Sequence, residues 1–337
     1  MLAERLTAQL LAGPPAPDPV AVVRRLLAVQ GQDARGARLA IRARTTGLTA
    51  SDVDACLTAD RSLLITWLGR GTLHLVSSED YPWLHALTTP PVFTGNARRL
   101  AQEGVAAGAA ERAVGVIERS LAEEGPLTRD QLRERIARAG VRTEGQALVH
   151  LLVLASLRGL MVRGPMVGKQ HAYALVRDWL GETKPVARDR ALAELARRYL
   201  AGHAPADARD LAKWSGLPLR DARAGLEAIA AELDIRPDGL VSLTGQARAG
   251  SLPPPRLLGS FDPLLMGWTS RAPILGRHDP AIVSGGLFRP FALIGGHAAA
   301  TWRLSSGRVV LEPFARLARA DRAALEADAE DVARFLG

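Results

Sequence analysis

Three short segments constrain the fold of this chain more than any other feature. GLTASDVDACL from Gly47, GPLTRDQLRERI from Gly125 and HAPADARDLAKW from His203 share one plan. Each has a turn signal, a capping-type residue, and then acidic and apolar residues in a short helix. Aligning Val53, Leu132 and Leu211 places them at equal steps of 79 residues. Equal spacing of similar units marks tandem modules.

The second copy shows the plan most fully. Residues 110–123 read as a helix, Thr128 caps another over 129–139 that stops at Gly140, and a third covers 145–157. Residues 160–163 and 171–176 then read as two strands around a turn containing Gly and Pro. Three helices followed by a two-stranded wing make a winged helix. The third copy repeats this with helices over 188–200 and 207–215, Pro218 opening another that ends near 233, and strands at 234–237 and 240–243. The first copy supplies strands at 63–67 and 72–76.

Beyond Ser251 the texture changes. Pro253-Pro254-Pro255 is a linker signal. Strand-like runs follow at 257–261, 291–294, 299–304 and 308–311, with Gly295-Gly296 as a hairpin turn and a last helix over 319–335. The expected fold class is mainly α with short β wings. It comprises three tandem winged-helix modules, at 1–105, 106–182 and 183–250, plus a small β-rich C-terminal segment at 251–337.

The 43 Lys and Arg against 35 Asp and Glu give a formal net charge of +8, which favours polyanionic partners, above all nucleic acid. Cys56 is the sole cysteine, so an intrachain disulfide or thiolate metal cluster is excluded, as suits a reducing compartment. The N-terminus lacks the basic-then-apolar plan of a secretory signal. The most apolar stretch, 147–162, is interrupted by His150, Ser156, Arg158 and Gly159 and is too short to span a bilayer. A cytoplasmic, nucleoid-associated monomer that does not touch membranes is expected. No Walker loop, strand-borne GxGxxG, HExxH or GxSxG occurs, and the histidines lack ligand spacing. Neither a metal nor a cofactor is expected.

The stretch LLAVQGQDARGA at 26–37 is unusual. Val20, Val23, Leu26, Leu27 and Val29 have helical spacing, after which the chain presents two neutral amides, Gln30 and Gln32, around Gly31. Taken alone, glutamines at a helix C-terminus are ordinary solvated residues. The surrounding pieces point further: VQGQDARGA at 29–37, TWLGRGTLHLVSSEDYPWL at 66–84, FDPLLMGWTSRAPIL at 261–275, GGLFRPFALIGG at 285–296 and TWRL at 301–304. In this order, across nearly the whole chain, they resemble the AlkZ-type DNA glycosylases, bacterial winged-helix proteins that remove alkylated bases from DNA. The resemblance implies tandem winged helices bent around duplex DNA, with a β-rich C-terminal part. The family's catalytic motif is Gln-Φ-Gln, with Φ aliphatic and Gln-Φ-Asp in a sister branch. It maps onto Gln30-Gly31-Gln32, with glycine in place of the aliphatic residue.

Neutral amides suit that chemistry. A purine alkylated at N7 is cationic and already a good leaving group, so no strong general acid is required, and cleavage passes through an oxocarbenium-like sugar. A water must then be placed at the anomeric carbon, and a carboxamide offers two donors and two acceptor lone pairs for this. Gln30 and Gln32 are the candidate catalytic residues, and Asp33 turned inward as a base is the lesser alternative.

Candidate DNA-binding residues are Arg70, in a Gly-Arg-Gly turn suited to a phosphate, Thr72 and His74 on one strand face, Arg271, and Arg289 with His297, which flank the hairpin. Each has a structural alternative: a surface arginine, a histidine bonded to backbone, a solvated hairpin. Asp262 is expected in a structural salt bridge, with Arg271 as one candidate partner. Trp67 and Trp83 read as core. The rival functions are a winged-helix transcriptional regulator without catalysis and a protein-binding scaffold.

Overall fold

In the computed structural model, which describes residues 1–168, 170–246 and 252–337, about half of the chain is helical. The rest of the regular structure is in several small antiparallel sheets. Two compact units divide it: Met1–Val53 with Arg188–Gly337, and Asp54–Ala187. The expected boundary at 250/251 lies outside the described residues. No helix among the described residues is long and apolar enough to cross a membrane.

The Asp54–Ala187 unit holds four strands in the order Thr72–Ser77, Leu63–Leu68, Met161–Val167, Gln170–Leu175. Leu63–Leu68 is buried along its whole length, as expected of a central strand covered on both faces. Helices Ala107–Glu124, Arg129–Arg138 and Ala147–Leu157 stand against this sheet and share a core built around Ile117, Leu132, Ile136, Leu151 and Leu152. Arg129–Arg138 begins where the sequence places it, because Thr128 and Gln131 form a reciprocal capping box. The expected Gly-Pro turn is corrected: Gly164 and Pro165 lie inside the strand Met161–Val167, at a register shift between Arg163 and Met166. A bulge tolerates the proline, which has no N–H to give the ladder. Gly164 is required there because a Cβ would lie 2.6 Å from the Trp179 ring.

In the other unit, helices Arg188–His203, Ala208–Ser215 and Leu219–Ala228 are followed by a short hairpin, Leu233–Ile235 with Val241–Leu243. The C-terminal sheet runs Arg308–Pro313, His297–Ser305, Phe291–Ile294, Arg256–Leu258, with helix Arg319–Leu336 packed on it. Every strand expected in this region is present. A further hairpin, Val283–Ser284 with Leu287–Phe288, was not expected, since two-residue strands leave no periodicity to read. His203 is buried among Tyr199, Trp214 and Trp268, and its Nδ1 bonds the carbonyl of Tyr199 at 3.0 Å.

Candidate active site

The amide motif lies in a sharp link between two helices. Asp18 caps the first, Pro19–Leu26, by accepting from the Ala21 amide at 2.7 Å, and Pro19 fills the first turn. Val22, Val23 and Leu26 form its buried face. The helix ends three residues before the Val29 that helical spacing would include. Leu27, fully buried, takes φ +64°, a conformation costly for a branched side chain and here held by packing. The turn it makes sends Val29 and Gln30 into extended backbone. Asp33 then caps a new helix, Ala34–Arg42, the motif helix.

Two residues apart across this link, the side chains meet. Gln30 Nε2 donates to Gln32 Oε1 at 2.5 Å. Gln30 is 5% exposed, and its Oε1 is buried with no hydrogen-bond partner among the described residues. Gln32 is exposed. A buried, unsatisfied carbonyl oxygen is disfavoured by about 1–3 kcal/mol, so the site favours a polar ligand that donates a hydrogen bond to Gln30. Gly31 is buried but is not among the glycines with positive φ. The backbone therefore does not itself demand the departure from an aliphatic residue.

Asp33 is engaged twice. Oδ1 accepts from the Arg35 amide at 3.0 Å and Oδ2 accepts from the Ser260 hydroxyl. A carboxylate so held is a cap and an anchor, and a role as proton acceptor would require breaking one of these bonds.

Arg70, Thr72 and His74 fall in the other unit. Arg70 is exposed at φ +67° in its Gly-Arg-Gly turn. His74 is buried, with Nδ1 at 2.9 Å from the Thr72 carbonyl. Burial, and secondly the charge of Arg70, push its pKa down to about 3, so His74 is neutral at physiological pH. The Thr72 hydroxyl is buried without a partner among the described residues. Trp67 is buried and Trp83 half-buried, its Nε1 donating to Asp80 at 3.3 Å.

The C-terminal candidates sort differently from their expected pairing. Asp262 is in a structural salt bridge, but its partner is Arg44. Arg271 pairs instead with Asp279 at 3.3 Å and lies over the Phe288 ring. Sequence spacing could not foresee the Arg44 pair, which joins residues 218 positions apart. His297 is exposed beside the Gly295-Gly296 turn. A Cβ on Gly296 would lie 3.0 Å from both Leu2 and Leu6, so that turn packs on helix Leu2–Ala8. Arg289 is exposed and follows the other hairpin. There Gly285 and Gly286 make an open turn of positive φ, and Leu287 is 66% exposed.

Comparison with known proteins gives the class of reaction. The family model described as "DNA glycosylase AlkZ-like" matches residues 23–335, from before the amide motif to the last helix. The chain belongs to the AlkZ-like DNA glycosylase family and is a DNA N-glycosylase. This displaces the readings as a non-catalytic regulator or scaffold. Over 361 aligned residues it is 27% identical to the "Interstrand DNA cross-link repair glycosylase" of Streptomyces sahachiroi, covering 100% of this chain and 96% of the relative. Its fold matches the solved structure of the Streptomyces sahachiroi DNA glycosylase AlkZ with a TM-score of 0.77 at 24% identity, covering 99% of this chain and 95% of that one.

Proposed function

We propose that this glycosylase hydrolyses the N-glycosidic bond of cationic, N7-alkylated purines in duplex DNA, with Gln30 and Gln32 holding the attacking water. The observation that carries the reading is the buried Oε1 of Gln30 beside Gln32, an oxygen with no hydrogen-bond partner among the described residues. A water donating one hydrogen to that oxygen is held and polarised, and the bond from Gln30 Nε2 to Gln32 Oε1 fixes the acceptor's direction. The glycosidic electron pair leaves with the base and cancels its ring charge. The water oxygen bonds the anomeric carbon, its proton passes to solvent, and an abasic site remains.

DNA is engaged, in this proposal, by Arg70, Thr72, His74, Arg271, Arg289 and His297. The exposed turn at Leu287 offers an apolar wedge of the kind that unstacks base steps from the minor groove. The chain is divided, in this proposal, into three winged-helix modules, at 1–105, 106–182 and 183–250, and the segment 251–337. The helix trio with its hairpin at 188–243 and the three helices at 107–157, the second of them capped by Thr128, support this division. The name of the Streptomyces relative speaks of interstrand cross-links. By extension the lesion here is an alkylated base, met in general repair or in self-resistance to a DNA-alkylating natural product. The enzyme is proposed to act as a cytoplasmic, nucleoid-associated monomer. A duplex carrying one N7-methylguanine tests the substrate class: incubation with the enzyme yields an alkali-labile site at that position. Binding without strand breakage on alkali treatment would contradict it.

A further inference from the structure

The segment that leaves strand Arg256–Leu258 holds the motif helix through two charged residues. Ser260 donates its hydroxyl to Asp33 Oδ2, at the residue that caps the helix. Two positions on, Asp262 takes Arg44, which lies just past the helix end and reaches back, with bonds of 2.9 and 2.8 Å. Between these grips the two backbones touch. A Cβ on Gly36 would lie 2.3 Å from the Ser260 carbonyl oxygen, and one on Gly259 would lie 2.9 Å from Leu39 Cβ. Only a glycine at each position lets the helix and the segment approach this closely. Ser260 is therefore fixed from below, and its hydroxyl has a defined place from which to hold Asp33.

Asp33 follows Gln32 directly, so the orientation of its carboxylate and that of the Gln32 backbone are set together. Gln32 in turn receives the Gln30 amide. Two side-chain hydrogen bonds, Ser260 to Asp33 and Gln30 to Gln32, joined by the peptide bond between Gln32 and Asp33, thus connect the segment after strand Arg256–Leu258 to the Gln30 carboxamide. We propose that Ser260 is a positioning residue of this glycosylase: by holding Asp33 as the cap of the motif helix, it sets Gln32 and, through Gln32, the Gln30 carboxamide that holds the water. This rests on the reading of Gln30 and Gln32 as the water-holding pair. Ser260 touches neither the water nor the DNA in this scheme. Its contribution enters the rate of the chemical step and leaves duplex affinity alone.

The experiment is a set of single-turnover excision rates on an N7-methylguanine duplex, with thermal midpoints and duplex affinities measured on the same proteins. Ser260→Ala is expected to lower the rate roughly three- to tenfold, the effect of one lost hydrogen bond felt indirectly at the amide pair, with affinity unchanged. Ser260→Thr, which retains a hydroxyl, is expected to restore most of the rate. In a Gln32→Ala background, Ser260→Ala is expected to have no further effect, because the link through which it acts is already gone. A wild-type rate for Ser260→Ala overturns the inference. So does an equal fractional loss in both backgrounds, the behaviour of a merely structural defect, and the reading of the amide pair then still stands. A full rate for Gln32→Ala overturns that reading and this inference with it.

Discussion

Replacing Asp262 by Ala probes the deepest electrostatic contact in the unit that carries the amide motif. Arg44 and Asp262 are both fully buried. All five N–H donors of Arg44 are used: Nε to the Gln9 carbonyl at 2.8 Å, Nη1 to the Ala40 carbonyl at 2.8 Å and Asp262 Oδ2 at 2.9 Å, and Nη2 to Asp262 Oδ1 at 2.8 Å and Gln9 Oε1 at 3.3 Å. Asp262 Oδ1 also accepts from the Leu264 amide at 2.9 Å. Truncating the carboxylate leaves a permanently charged guanidinium in the core with two donors unpaired, which costs about 3–5 kcal/mol. Against a typical stability of roughly 5–15 kcal/mol, that is a large fraction. With a urea slope of about 2–3 kcal/mol/M the midpoint falls by at least about 1 M. Fluorescence of Trp214, Trp268 and Trp302, all in this unit, follows the transition. Pairing Asp262→Leu with Arg44→Met removes both charges together, and its cost falls at least about 2 kcal/mol short of the sum of the two single variants. A loss below about 1 kcal/mol for Asp262→Ala, or strict additivity in the double variant, would show that this pair does not hold the segment to the motif helix.

Further outcomes follow from other features. Burial pushes the His203 pKa down to about 3, so the folded state keeps it neutral while the unfolded chain protonates near pH 6.5. Stability from this group is complete above pH 6.5 and is lost at about 1.4 kcal/mol per pH unit as pH falls toward 3; urea midpoints of a His203→Phe variant are less pH-dependent in that window, and an unchanged slope would contradict the assignment. With a net charge of +8, duplex affinity falls steeply with salt through counterion release, and a flat response between 50 and 200 mM, roughly the range over which phosphate contacts lose most of their strength, would remove the electrostatic footprint. Leu287→Ser, at an exposed hairpin tip, leaves the thermal midpoint unchanged and weakens excision or lesion binding by about threefold or more; full activity would show that the tip does not enter the DNA.

Much of the architecture was legible because its signals are local. Thr128 announces a helix start, Gly295-Gly296 announces a hairpin, and the alternation around Thr72 and His74 announces a strand. What was not legible depends on contacts distant in sequence. The helix before the motif was expected to run on to Val29. It stops at Leu26 because a buried leucine accepts a left-handed backbone, and no local propensity encodes that. Asp262 was assigned a salt bridge correctly in kind, but its partner Arg44 comes from a segment joined only by the fold. The same holds for Asp33, where a carboxylate beside two glutamines reads as a possible base until Ser260 and the Arg35 amide are seen to occupy both oxygens. The amide pair itself was visible as a pattern, and the bond between the two side chains was not.

The most direct measurement of the account is the single-turnover excision rate of Gln30→Ala, Gln32→Ala and the double variant on an N7-methylguanine duplex, beside Asp33→Asn. Each glutamine variant loses roughly tenfold to a few hundredfold in rate with duplex affinity nearly intact. The double variant loses less than the product of the singles, because both side chains serve one water. Asp33→Asn retains an oxygen for the Arg35 amide and an amide group to bond Ser260, and it loses less than about threefold. If Asp33→Asn abolishes excision while both glutamine variants stay near the wild-type rate, the carboxylate is the base and the amide mechanism is wrong.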